Sequence, residues 1–192
     1  MSYKEIGTIR LTKGYVTATD PCYDRNTWCT LNIKNVLAGN WKAFAFISDE
    51  GRWGDRVAEL RLVHENYADE VEEIQFDDFE PGAAGVDAGL CGFFEDKPDY
   101  DDNTWKKLCD NYFFKEKFGI ASLDNDFKCA GVWSESGYGD GSYSVLLAHD
   151  KSGYVYAMTL IYIDNSDEIE DEMSDDLIDE YDDFEEENEE EN

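Results

Sequence analysis

Residues 143–163, YSVLLAHDKSGYVYAMTLIYI, divide into Tyr143–His149 and Tyr154–Ile163 around Asp150-Lys151-Ser152-Gly153. Each flank is short and rich in apolar, β-branched or aromatic residues, and an Asp/Gly turn separates them. That pattern predicts a β-hairpin. Working back along the chain, Trp41–Ile47 and Val57–His64 read as a second hairpin, closed by the two-glycine loop Ser48–Asp55. Ile6–Leu11 and Tyr15–Thr19 flank Thr12-Lys13-Gly14 and predict a third. Ile74–Phe79 reads as a short edge strand in an acidic context. Val86–Phe94 and Phe127–Ser134 complete the strands. One helix stands out: Asp102 or Asn103 caps a run through about Lys117, with Trp105, Leu108, Cys109, Tyr112 and Phe113 on one face. The chain is therefore read as mainly β, a β-rich α+β protein. The expected architecture is an antiparallel sandwich or strongly bent sheet with one inserted helix. Alternating βαβ units are absent, which argues against dinucleotide-binding and P-loop folds.

The 192 residues carry 46 Asp+Glu against 16 Lys+Arg, a formal charge of -30, with 15% aromatics. That aromatic content suffices for a sizeable core. The charge disfavours direct nucleic-acid contact, whose affinity comes mainly from Lys and Arg, and disfavours anionic membranes for the same reason. No apolar run reaches the length of a membrane span or forms a signal-peptide core, so the expectation is a cytoplasmic protein. Five cysteines at irregular spacings, without a C-x-x-C pair, read as reduced and mostly buried thiols.

The acidity is unevenly spread. Residues 164–192 hold 18 acids and no Lys or Arg, so -18 lies there and -12 on residues 1–163. The chain thus reads as a β-rich domain, 1–163, followed by an acidic tail, 164–192. Within the tail Ile169, Met173, Leu177, Ile178, Tyr181 and Phe184 recur at helical spacing, with acids between them. Asn165 with Glu168 makes a capping box for an amphipathic helix over about 166–184, and the remainder to Asn192 reads as disordered. Three readings stay open: a solvated tail, a helix docked on its own domain, or a helix reserved for a partner groove through Ile169, Met173, Leu177, Tyr181 and Phe184.

Chemical motifs are sparse. No zinc spacing, nucleophile elbow or phosphate loop occurs, and His64 and His149 are read as strand and hairpin residues. Three glycine-associated aspartates stand out: Asp20 in Thr19-Asp20-Pro21, Asp87 in Gly85-Val86-Asp87-Ala88-Gly89, and Asp140 in Gly139-Asp140-Gly141. Such loops hold carboxylates in unusual positions, so a converged set would bind Ca²⁺ or Mg²⁺ or act in acid–base chemistry. The competing reading is that all three are turn formers. Trp53, Tyr138 and Tyr143 give a lesser reading, a carbohydrate or peptide module.

These motifs, with Gly14-Tyr15-Val16, Gly39-Asn40-Trp41, Arg56-Val57-Ala58, Asp150-Lys151-Ser152-Gly153-Tyr154-Val155 and Ser136-Gly137-Tyr138-Gly139-Asp140-Gly141-Ser142-Tyr143, follow one another in an order that resembles a bacterial family labelled domain of unknown function 4241. The resemblance covers most of residues 5–163 and excludes the tail. It implies a bacterial or phage cytoplasmic protein and brings no activity with it. Two functions follow from the residues. One is a non-enzymatic acidic protein of immunity, inhibitor or DNA-mimic type that engages a basic protein partner without a cofactor. The other is a metal-assisted hydrolase or cation-binding protein with its site at Asp20, Asp87 and Asp140.

Overall fold

The structure is a computed structural model that describes residues 3–77 and 81–164. Among the described residues, eleven strands and one α-helix follow in order. The strands are β1 (Tyr3–Leu11), β2 (Tyr15–Thr19), β3 (Leu31–Lys34), β4 (Gly39–Asp49), β5 (Asp55–His64), β6 (Gly82–Val86), β7 (Leu90–Glu95), β8 (Phe118–Ala121), β9 (Ala130–Glu135), β10 (Gly141–His149) and β11 (Val155–Ile161). The helix α1 (Asp102–Leu108) lies between β7 and β8. The strands form an antiparallel six-stranded sheet, β1-β4-β5-β11-β10-β6, and an antiparallel five-stranded sheet, β3-β2-β7-β9-β8. The β-rich sandwich expected from the sequence is the fold. No helix among the described residues is long and apolar enough to cross a membrane.

Three apolar layers hold the sheets. Between them lie Trp41, Leu60, Leu62, Met158 and Leu160 from the six-stranded sheet, against Val16, Ile33, Phe93 and Val132 from the other. Outside the six-stranded sheet, Phe44, Val63, Ala148 and Ala157 are covered by Ala68, Val71, Ile74 and Phe76. Outside the five-stranded sheet, Phe94 and Trp133 are covered by Leu108, Phe113 and Phe127. Central strands such as β11 are thus buried on both faces, and they read as nearly continuous apolar runs rather than strict alternation.

The hairpins β4–β5 and β10–β11 form as expected. The expected hairpin across Thr12-Lys13-Gly14 does not. β1 pairs with β4 in one sheet and β2 with β3 and β7 in the other, so this turn carries the chain across the sandwich. The reason lies in Glu95, a buried residue at the end of β7. Its Oε1 accepts the backbone N–H groups of Thr12 and Lys13, both at 2.6 Å, and its Oε2 accepts the Thr12 hydroxyl at 3.1 Å. A carboxylate from a neighbouring strand fills the donors that a hairpin ladder would have used.

The run Val86–Phe94 is likewise two strands in two sheets, broken at Asp87-Ala88-Gly89, where Gly89 adopts φ +66. The expected strand at Ile74–Phe79 has no ladder over 74–77, and the rest lies outside the described residues. Ile74 and Phe76 pack onto the sheet as a cover while the Arg61 guanidinium lies over the Phe76 ring, so their two-residue spacing imitates a strand. The helix is capped by Asp101, whose Oδ1 accepts the Thr104 N–H at 2.7 Å, not by Asp102 or Asn103. It gives way to a π-helical turn at Cys109–Phe113 and stops short of Lys117. β3 and β8, four residues each, fall below what periodicity resolves. The acidic tail beyond Asp164, its 166–184 helix included, lies outside the described residues.

Replacing Glu95 with Ala strips two backbone donors of their acceptor. Urea unfolding should show a loss of about 2 kcal/mol for Glu95→Ala, and a smaller loss for Glu95→Gln, which keeps one acceptor oxygen.

Candidate functional site

The three aspartates singled out in the sequence meet at one turn. Asp20 follows β2 directly and is 0% exposed. Its Oδ1 accepts the Cys22 N–H at 2.8 Å, and its Oδ2 accepts the N–H groups of Asp87 at 2.9 Å and Ala88 at 2.7 Å. Asp140, in the β9–β10 connection, accepts the Gly89 N–H through Oδ1 at 3.2 Å. Asp87 turns outward and accepts the Tyr23 hydroxyl at 2.5 Å. Asp20 and Asp140 therefore grip the 87–89 backbone from two sides, as turn formers do. Both oxygens of Asp20 are already filled by N–H donors. Among the described residues no group of three His, Cys, Asp or Glu side chains could hold a metal ion.

Electrostatics follow from this packing. Burial raises the Asp20 carboxyl above its ordinary 3.8, and the three N–H donors oppose that rise. The Asp87 hydrogen bond pushes the Tyr23 phenol up to about 12. Burial likewise raises the Cys29 and Cys129 thiols to about 11, which keeps them protonated near neutrality. Trp53 and Tyr138 are exposed, but Arg52 lies over the Trp53 ring and Arg56 over the Tyr138 ring. The Tyr143 hydroxyl is turned back onto the carbonyls of Ser136 and Gly139.

A different surface gathers acidic side chains. From Leu62 to Asp96 the sequence has no Lys or Arg. Within it, the 3₁₀ turn Glu65–Glu70 and the segment to Asp77 set Glu65, Asp69, Glu70, Glu72, Glu73 and Asp77 along a ledge over the outer face of the six-stranded sheet, and Asp77 meets His149 Nδ1 at 2.5 Å. The neighbouring Arg61 does not neutralise the ledge, because it is buried with Glu59, Nε to Oε1 at 2.5 Å, and it donates to the Val71 carbonyl. Embedded in the ledge, Tyr67 stacks on Tyr156 of β11 with ring centroids 4.2 Å apart. A cleft of about 190 Å³ opens there, lined by Tyr67, Glu70, Glu73, Ile74, Gln75 and Tyr156. Aromatic faces beside carboxylates form a cradle for a cationic side chain. The base-free stretch was legible in the sequence. The pairing of Tyr67 with Tyr156 was not, since it depends on β11 lying beside β5.

The tail residues expected to meet a partner, Ile169, Met173, Leu177, Tyr181 and Phe184, lie outside the described residues. Comparison with protein-family models, curated proteins and solved structures finds no match for this chain. The family resemblance given above rests on its quoted motifs alone.

Asp20→Ala should lower the unfolding free energy by about 3 kcal/mol, because three backbone donors lose a charged acceptor. The pH dependence has a definite sign. With its folded value raised, Asp20 takes up a proton more readily in the folded state, so folding gains as pH falls through that raised value, and the gain is complete below 3.8. The stability difference between the natural chain and Asp20→Asn should therefore shift toward the natural chain on acidification. Paired urea titrations across that window measure it.

Proposed function

We propose that this chain is a non-enzymatic acidic protein-binding protein that engages a basic partner, in the manner of an immunity protein, an inhibitor or a DNA mimic. The observation that carries this reading is the ledge at Glu65–Asp77, where the stacked pair Tyr67–Tyr156 sits beside Glu70 and Glu73. An Arg or Lys side chain placed there would meet aromatic faces and carboxylates together, a combination favourable to a partly desolvated cation. The acidic tail adds long-range attraction that speeds encounter with the same class of partner. A bacterial or phage cytoplasm is part of this reading, supported by the resemblance of the quoted motifs to a bacterial family.

A cation-dependent reaction at Asp20, Asp87 and Asp140 has less support. Asp20 spends its oxygens on Cys22, Asp87 and Ala88, and Asp140 spends one on Gly89.

The test is binding of the full chain to a fluorescent arginine-rich peptide, with a glutamate-rich peptide as control. Binding should be confined to the basic peptide and should vanish as ionic strength nears about 1 M, where the Debye length is about 3 Å. The double variant Glu70→Gln, Glu73→Gln should weaken it by about tenfold, or 1.4 kcal/mol. Tyr156→Ser should do the same, while Trp53→Ser should leave it unchanged. Equal binding by the natural chain and the Glu70/Glu73 double variant would refute the ledge as the binding surface.

A further inference from the structure

A second cleft, of about 210 Å³, opens on the outer face of β2 and β3 beside the 23–26 loop. Its floor is polar. The Thr17 hydroxyl donates to Asn32 Oδ1 at 3.1 Å, and Thr30 Oγ1 is buried without a hydrogen-bond partner. Lys97 also lines the cleft and is 4% exposed. Its ammonium donates to the Pro98 carbonyl at 3.0 Å and lies 4.5 Å from the centre of the Tyr100 ring. No carboxylate among the described residues lies within ion-pair distance of it, and Asp99, Asp24 and Asp20 act on it from farther away. An ammonium has three donors, so this buried cation keeps capacity for an anionic guest. Burial lowers its pKa from the ordinary 10.5, and a guest anion would reverse that shift.

The mouth carries the opposite sign. Asp24 and Asp96 line it, and both are exposed. Asp96 accepts the Tyr15 hydroxyl and faces Lys13 at 3.7 Å, whereas the Asp24 carboxylate accepts no side-chain hydrogen bond among the described residues and acts on Lys97 from a distance. Arg25, the other cation of the lining, is engaged by Asp99 through its backbone N–H at 2.9 Å and its Nε at 3.4 Å. A simple anion approaching Lys97 would pass two acids on a chain of charge -30, and a simple cation would meet a buried ammonium. A molecule carrying both charges satisfies both ends. The cleft, at about 210 Å³, is of a size for a small molecule.

We propose that this cleft binds a free α-amino acid, its carboxylate toward Lys97 and Thr30 and its ammonium toward Asp24 and Asp96. The site is separate from the acidic ledge, and its occupancy does not depend on the protein partner.

Saturation-transfer NMR on the full chain with a mixture of the common α-amino acids tests this, with acetate, ethylammonium and glucose as controls. Transfer to one or more amino acids and to none of the controls is the expected result. Lys97→Met should then weaken the bound amino acid at least about tenfold. The exposed variant Asp24→Asn, which leaves the packing intact, should do likewise. Absence of transfer to any amino acid overturns the proposal, as does binding that survives Asp24→Asn undiminished. Equal transfer to acetate would make the cleft a plain anion site, and equal transfer to glucose a polyol site. Either result overturns the zwitterion assignment.

Discussion

The carboxylate of Asp20, buried after β2 and filled by three backbone N–H groups, ties the end of β2 to the turn that joins the two sheets. Two of those donors, Asp87 and Ala88, lie in the turn where the chain leaves β6 in one sheet and enters β7 in the other. A turn that crosses a sandwich cannot satisfy its own donors by pairing strands, and a buried unpaired N–H costs free energy comparable to a lost hydrogen bond. Glu95 meets the same need at the β1–β2 crossing, and Asp140 adds a third acceptor at Gly89. The acceptors come from strand ends or connections adjacent in space. β2 and β7 run antiparallel, so the start of β2 lies beside Glu95 and its end beside the 87–89 turn.

This gives the acidity two separate roles. A few carboxylates are internal, and their lone pairs are spent on backbone donors. They contribute to the fold through short charge-assisted hydrogen bonds, not through attraction to bases. The ledge at Glu65–Asp77 is different. There the acids stand over an apolar cover made by Ala68, Val71, Ile74 and Phe76, and the nearest guanidinium, that of Arg61, is buried beneath. The polar cleft on the opposite sheet reverses the order of charge, with the cation within and the acids at the mouth.

Features that depend on neighbouring residues were legible before any coordinates. The hairpins at Asp150–Gly153 and Ser48–Asp55 are legible because turn chemistry and flanking alternation lie within one window. The face formed by Trp105, Leu108, Cys109, Tyr112 and Phe113 was also found, because helical spacing is local. A local pattern misleads where it has two spatial solutions. Thr12-Lys13-Gly14 suits a hairpin as well as a crossing, and an acid in a strand far along the chain decides between them. Val86–Phe94 looks continuous because both strands are apolar, although Gly89 with φ +66 breaks the run.

Local pattern was enough for a β-rich chain, for the position of most of its strands, and for the division of its charge. Periodicity, turn residues and composition are properties of adjacent positions. Which sheet each strand joins, what the lone pairs of Asp20 and Asp140 accept, and that Tyr67 meets Tyr156 beside Glu70 and Glu73 are set by contacts across the fold. Those outcomes depend on closing long loops against a shared core. Their energy comes from contacts between residues that no window of the sequence contains.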